Sequence, residues 1–291
     1  MINGTIVKGI GGFYYVKTEK GILECKARGL FRKDKILPMV GDRVCVEPKK
    51  NDATNIIKKI EERDNFLVRP PVANIDMAII VFSITRPEPN LYLLDRFLTI
   101  IEQNDIHICI CFNKVDIADE NKKNDIISIY EKTGYPIICS SAKTGEGLKE
   151  LKEILKDHTS IFSGPSGVGK SSLLNKMQSN LDLKTGEISS KSERGKHTTR
   201  HVELLELEFG GYVLDTPGFT SLEIKDVEEA ELQYFFPEFI PHIDQCKFNG
   251  CRHMQEPKCA IKEKVLSKDI SESRYDSYLS ILKEIQEQRR Y

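Results

Sequence analysis

Gly164-Pro165-Ser166-Gly167-Val168-Gly169-Lys170-Ser171-Ser172 lies between Ser160-Ile161-Phe162, an apolar stretch that reads as a strand, and Leu173-Leu174-Asn175-Lys176-Met177, which reads as the body of a helix. That strand–loop–helix setting is what a GxxxxGK[ST] match requires of a phosphate-binding loop. Gly164, Gly167 and Gly169 let backbone amides turn inward around a β-phosphate, where side chains would block the approach. The helix that opens at Lys170 adds the partial positive charge of its N-terminus. In this chemistry Lys170 reaches the β- and γ-phosphates, and the Ser171 hydroxyl binds Mg²⁺. The stretch predicts an α/β domain of the P-loop class that binds a nucleoside triphosphate.

Upstream, Ile106-His107-Ile108-Cys109-Ile110-Cys111-Phe112 is a strand-length apolar run ending at Asn113-Lys114-Val115-Asp116. The Asp116 carboxylate can accept two hydrogen bonds, from guanine N1–H and the exocyclic amine. Adenine offers no such donors and would leave it unpaired. The Lys114 stem can lie along the base plane. A second strand, Tyr135-Pro136-Ile137-Ile138-Cys139-Ser140, delivers Ser141-Ala142-Lys143 to the other side of the base. Two base-reading motifs, each at a strand end, predict GTP and GDP as ligands.

Downstream, Gly211-Tyr212-Val213-Leu214 reads as a strand that carries Asp215-Thr216-Pro217-Gly218. Asp215 would face Mg²⁺ through water, and the Gly218 amide would sense the γ-phosphate. Between the loop and this strand lies Ser192-Glu193-Arg194-Gly195-Lys196-His197-Thr198-Thr199-Arg200, a polar stretch with switch character. A Thr hydroxyl in such a loop completes the Mg²⁺ shell in the GTP state; Thr199 is the first choice and Thr198 the second. Phe219 occupies the position where many GTPases carry a water-orienting Gln. Intrinsic hydrolysis is therefore expected to be slow. His197 is a candidate to place the attacking water, with partner contact as the other reading, so the expected catalytic set is His197, Lys170 and Gly218. GTPases usually run from phosphate loop to base motifs; here the base motifs come first, so the domain is circularly permuted.

The flanks divide the chain at residues 1–68, 69–222 and 223–291. The first segment alternates short strands with glycines, as in Phe13-Tyr14-Tyr15-Val16 and Arg43-Val44-Cys45-Val46-Glu47, and predicts an all-β OB-fold barrel. It holds fourteen Lys and Arg against nine Asp and Glu, within a chain of net charge −1. Lys26, Arg28, Arg32, Lys33 and Lys35 surround Phe31, a composition suited to RNA phosphates and base stacking; Phe31 in the core is the alternative. In the last segment Cys246, Cys251, His253 and Cys259 are spaced C-x4-C-x-H-x5-C. Three thiolates and an imidazole make a closed tetrahedral zinc set, hence a structural site. His242 is a more distant rival ligand. Residues 228–239 read as a helix burying Leu232, Phe235 and Phe236. A closing helix carries Tyr275, Tyr278, Leu279 and Leu282 on one face. Cys25, Cys45, Cys109, Cys111 and Cys139 lie in strand-like runs as buried thiols, which suits a reducing cytoplasm. The longest apolar runs are strand-sized, so neither a leader nor a membrane partner is expected. DNA is not an expected partner, and the chain reads as a monomer.

The order barrel, NKxD, SAK, phosphate loop, switch loop, DTPG and C-x4-C-x-H-x5-C resembles the RsgA (YjeQ or YloQ) family of circularly permuted GTPases over essentially the whole chain. Arg69-Pro70-Pro71-Val72-Ala73-Asn74-Ile75-Asp76 and Gly195-Lys196-His197-Thr198-Thr199-Arg200 match the family too. The resemblance implies a late maturation factor of the small ribosomal subunit that contacts 16S rRNA near the decoding region. It also implies a GTPase activity stimulated by that subunit, with an apolar residue at the Phe219 position. Two other readings are a GTPase with a non-ribosomal activator, and an RNA-binding scaffold that holds nucleotide without turnover.

Overall fold

A computed structural model describes residues 1–29, 31, 36–49, 54–68, 70–178, 202–215, 224 and 227–288. These fall into two compact units. The first gathers the described residues among 1–78, 152–162 and 187–220, and the second those among 79–151, 163–186 and 221–291. Neither unit is a single run of chain.

The first unit begins with five strands: β1 (Ile2–Ile10), β2 (Phe13–Thr18), β3 (Gly21–Ala27), β4 (Arg43–Glu47) and β5 (Asn55–Ile60). They pair in the order β1-β2-β3-β5-β4, and β4 returns to β1, closing a barrel. All pairs are antiparallel except β3 with β5, the connectivity of an OB-fold. Ile6, Val16, Cys25, Val46 and Ile57 are fully buried in its centre. Burial alternates along β2, at Val16 and Thr18, and along β4, at Val44 and Val46, with the two-residue side-chain period. The hairpin β6 (Phe66–Val68) and β7 (Pro71–Ala73) follows. Later in the chain the same unit contains β11 (Thr159–Ser163), β12 (Val202–Glu206) and β13 (Tyr212–Leu214). β11 runs parallel to β13, which pairs antiparallel with β12. β12 in turn pairs with β1, so barrel and strands share one sheet.

The second unit holds β8 (Met77–Ser83) from Ile79 onward, β9 (His107–Asn113) and β10 (Ile137–Ser140), with β9 between the other two. The β8 residues from Ile79 to Phe82 and the β9 residues from Cys109 to Phe112 are almost wholly buried, as expected of strands covered on both faces. Helices α1 (Leu91–Glu102) and α2 (Glu120–Tyr130) alternate with them. Asn90 and Asp119 cap these helices by accepting the N–H groups of Leu93 and of Asn121 and Lys122. α3 (Leu148–Leu155) leads back towards β11, and α4 (Lys170–Met177) follows the phosphate loop. The chain closes with α5 (Ala260–Leu266) and α6 (Glu272–Gln288).

Residues 228–239 do not form an α-helix: a 3-10 turn spans Leu232–Phe235 and another Ile240–Gln245. Pro237 supplies no N–H and stops the first turn, whereas Pro241 sits in the opening of the second. Phe235 is only half-buried, while Phe236 and Phe239 are fully buried and stack on Tyr278. On α6 the buried stripe is Arg274, Ser277, Tyr278, Ile281, Leu282 and Ile285. Tyr275 and Leu279 lie at its half-buried margin. Of the strand cysteines, Cys25, Cys109 and Cys111 are buried and Cys45 and Cys139 half-buried; all eight thiols are free. No helix among the described residues is long and apolar enough to cross a membrane.

Candidate guanine-nucleotide site and metal centre

The phosphate loop turns through two glycines that admit no other residue. A Cβ on Gly164, at φ +137°, would stand 2.0 Å from the Val81 carbonyl oxygen. On Gly169, at φ +100°, it would stand 2.4 Å from Asn113 Nδ2. The loop is therefore pressed against β8 on one side and the base motif on the other. The Val168 side chain is buried, pinning the loop from within. Lys170 Nζ donates to the carbonyls of Gly164 and Pro165, each at 2.8 Å, which holds the ammonium inside the loop's curve. Burial lowers its pKa from the ordinary lysine value. A desolvated cation in that place gains most from an anionic phosphate.

The NKxD residues meet this loop directly. Asn113 Nδ2 donates to the Val168 carbonyl at 2.8 Å, and Lys114 Nζ donates to the Gly167 carbonyl at 2.6 Å and the Arg86 carbonyl at 2.7 Å. Lys114 adopts φ +67° to make that reach. The SAK residues orient the motif from the next strand. Ser141 Oγ donates to Asp116 Oδ1 at 2.8 Å, and the Ala142 N–H donates to Asn113 Oδ1 at 3.3 Å. Lys143 Nζ lies 3.8 Å from Asp116 Oδ2 on an 81% exposed side chain, a contact worth little in water. Ser140, which the motif reading passed over, also donates to Asn113 Oδ1, at 3.3 Å, and its hydroxyl meets Cys111 Sγ at 3.2 Å. Its signal in the sequence is only its place at the end of β10. Ser166, Ser171 and Ser172 lie on the loop and the first turn of α4, exposed or half-buried.

Asp215 belongs to the other unit, directly after β13. Its N–H donates to the Glu203 carbonyl at 2.8 Å. Burial, with the Glu203 carboxylate nearby, raises its pKa above the ordinary aspartate value, and Lys8 acts in the opposite sense. Ser171 offers a hydroxyl and Asp215 a carboxylate, each by itself an oxygen donor of the kind a hard cation such as Mg²⁺ takes. His197, Thr198, Thr199, Gly218 and Phe219 lie outside the described residues, as do Arg32, Lys33 and Lys35. On the barrel, Lys26 and Arg28 are exposed, and Lys26 Nζ sits 4.6 Å from the centre of the Phe13 ring. Phe31 is half-buried.

Cys246, Cys251, His253 and Cys259 converge, with their ligand atoms all within 4.8 Å of one another. Cys246 Sγ is 3.6 Å from His253 Nδ1 and 3.9 Å from Cys259 Sγ, which is 3.3 Å from His253 Nδ1. A tetrahedron with Zn–S bonds of about 2.3 Å has edges of roughly 3.8 Å, so the four residues fit that ion. Behind the imidazole, His253 Nε2 meets Gln233 Oε1 at 2.9 Å. That partner makes Nε2 the protonated nitrogen and leaves Nδ1 free to ligate. Burial lowers the His253 pKa, keeping the ring neutral, and pushes the Cys259 thiol up to about 12. The Tyr275 and Tyr278 hydroxyls donate to the carbonyls of His253 and Arg252, tying α6 to the cluster. His242 lies apart, against Gln245.

One buried arrangement had no motif to announce it. Arg274, 1% exposed, donates to Asp95 Oδ1 at 2.8 Å and to both oxygens of Glu238 at 2.7 and 3.1 Å. Its guanidinium also stacks on Phe236. The only sequence signal is an arginine in phase with the apolar stripe of α6.

The RsgA GTPase family model matches residues 60–225, and the RsgA N-terminal domain model matches residues 3–56. The "small ribosomal subunit biogenesis GTPase RsgA" of Caldanaerobacter subterraneus is 54% identical over all of this chain and 98% of its own. Its namesake in Alkaliphilus metalliredigens is 47% identical over the full length of both. Among solved structures, YjeQ from Thermotoga maritima superposes with a TM-score of 0.86 at 39% identity, covering 98% of each chain. YloQ, described as a circularly permuted GTPase, superposes at 0.83 with 40% identity over 99% of this chain and 96% of its own. The chain belongs to the RsgA family of circularly permuted GTPases.

Proposed function

We propose that this GTPase acts in late maturation of the small ribosomal subunit, binding it in the GTP state and leaving after hydrolysis. The observation that carries the chemistry is the direct hydrogen bonding of the guanine motif to the phosphate loop, through Asn113 to Val168 and Lys114 to Gly167. The partner is supported by full-length similarity to proteins named for small-subunit biogenesis and by the excess of positive charge in residues 1–68.

Asp116 reads the guanine edge while Ser141 fixes the carboxylate plane. Lys170 and the loop amides hold the β- and γ-phosphates, and the Gly218 amide and Thr199 or Thr198 sense the γ-phosphate. Mg²⁺, when bound by Ser171 and, through water, Asp215, would neutralise developing phosphate charge. With Phe219 in place of a water-orienting Gln, the attacking water needs another positioner, and His197 takes that role when the subunit is bound. Zn²⁺ on Cys246, Cys251, His253 and Cys259 would be structural. Lys26, Arg28, Phe31, Arg32, Lys33 and Lys35 contact 16S rRNA. The protein works as a cytoplasmic monomer, with neither DNA nor membrane as partner, through segments 1–68 (barrel), 69–222 (GTPase) and 223–291 (zinc domain). Co-sedimentation with small subunits tests the cycle. Binding with a non-hydrolysable GTP analogue and release with GDP are expected; equal binding in both states would refute it.

A further inference from the structure

The barrel grips the residue whose carbonyl accepts the Asp215 backbone N–H. β1 serves two partners in sequence: Ile2–Thr5 pair with β4 and close the barrel, whereas Lys8 and Gly9 pair with Glu203 and Val202 of β12. A register shift against β2 between Ile6 and Lys8 separates the two halves, the kind of bulge that re-aims a strand. Lys8 stands directly opposite Glu203, and its Nζ lies 2.6 Å from Glu203 Oε2. The main-chain carbonyl of the same Glu203 accepts the Asp215 N–H at 2.8 Å. Lys17, on β2, makes a similar cross-strand pair with Glu206 at 2.7 Å, three residues further along β12 and away from Asp215.

We infer that Lys8 is a positioning residue for the Asp215 carboxylate: paired with Glu203, it makes the barrel part of the frame that sets the Mg²⁺ carboxylate. The inference rests on the reading of Asp215 as a water-mediated Mg²⁺ ligand. A displacement of β1 reaches the residue that begins the DTPG motif through the β1–β12 ladder, clamped at Glu203 by this side-chain pair, and one backbone hydrogen bond. The Lys8 and Glu203 charges act on Asp215 with opposite signs. Removing both takes away two opposed charges, and the reversed pair, which restores the ion pair with its charges exchanged, isolates the mechanical link.

The test is a Mg²⁺ titration of the release rate of a fluorescent, non-hydrolysable GTP analogue from the full chain, which reads binding rather than turnover. The double variant Lys8→Met/Glu203→Met should need about three- to tenfold more Mg²⁺ for half-maximal slowing of release, below the ~10–100-fold of a buried outer-shell partner. The reversed pair Lys8→Glu/Glu203→Lys should restore the wild-type requirement, and Lys17→Met/Glu206→Met should leave it unchanged. An unchanged requirement in the first variant, no restoration by the reversed pair, or an equal effect of the second pair would each overturn the inference. Asp215→Asn separates the two levels. If it raises the requirement while the Lys8/Glu203 variant does not, only the positioning role fails. If Asp215→Asn changes nothing, the reading of Asp215 itself fails.

Discussion

At the scale of single residues, base selection rests on a carboxylate whose direction is set by a neighbour. Asp116 is held by the Ser141 hydroxyl, so the two should differ in what their loss costs. Asp116→Asn exchanges an acceptor for a donor against guanine N1–H, and GTP affinity should fall by at least ~100-fold. Ser141→Ala keeps the acceptor and loses only its orientation, so the loss should be smaller, about tenfold, near the lower end of the range for a hydrogen bond to a charge. Titration with fluorescent GDP measures both; unchanged affinity in Asp116→Asn would place the base site elsewhere. These residues were legible in the sequence because loop, NKxD and SAK each follow an apolar strand, and the strand end fixes where the side chains stand. Arg274 was not legible. A charged residue on a helix reads as solvent-facing, and its carboxylate partners lie 179 and 36 residues away in the chain.

At the scale of elements, that arginine fastens α6 to α1 and to the link between the two 3-10 turns, because one cation answers two buried carboxylates. Arg274→Met should cost about 3–5 kcal/mol in denaturant unfolding, since Asp95 and Glu238 would be left buried and uncompensated. A loss within ~0.5 kcal/mol, the usual range for a surface substitution, would mean the cluster is solvated. The zinc segment shows the opposite dependence on the sequence. Its spacing sufficed to name the ligands, yet the helix expected at 228–239 is absent: only Leu232–Phe235 form a 3-10 turn, which Pro237 follows. With only short turns to hold this segment, the metal should supply much of its folding free energy. Chelation should therefore lower the melting temperature and expose Cys246, Cys251 and Cys259 to thiol reagents. Burial raises the Cys251 and Cys259 thiols, so zinc must displace protons to bind. Retention of zinc should accordingly weaken as pH falls, read as metal released to a chromophoric chelator across a pH series.

At the scale of the whole molecule, permutation decides what the switch region is joined to. The chain begins in the barrel and passes through both base motifs before it reaches the phosphate loop, so β12 and β13 come late. β12 is then free to pair with β1, and the barrel acquires a hydrogen-bonded route to Asp215. Motif order made the permutation legible from the sequence, but not that pairing, because no local pattern specifies which strand a β-edge will meet. A barrel tied to Asp215 through β12 fits the proposal of an enzyme that hydrolyses slowly by itself and answers to a bound partner. Steady-state GTP hydrolysis measured with the protein alone, with small subunits and with large subunits tests that claim most directly. Stimulation of about a hundredfold or more by small subunits alone is predicted, the lower range of what an external activator supplies to a GTPase short of a catalytic group. Turnover that stays slow with either subunit, or rises equally with both, would contradict it.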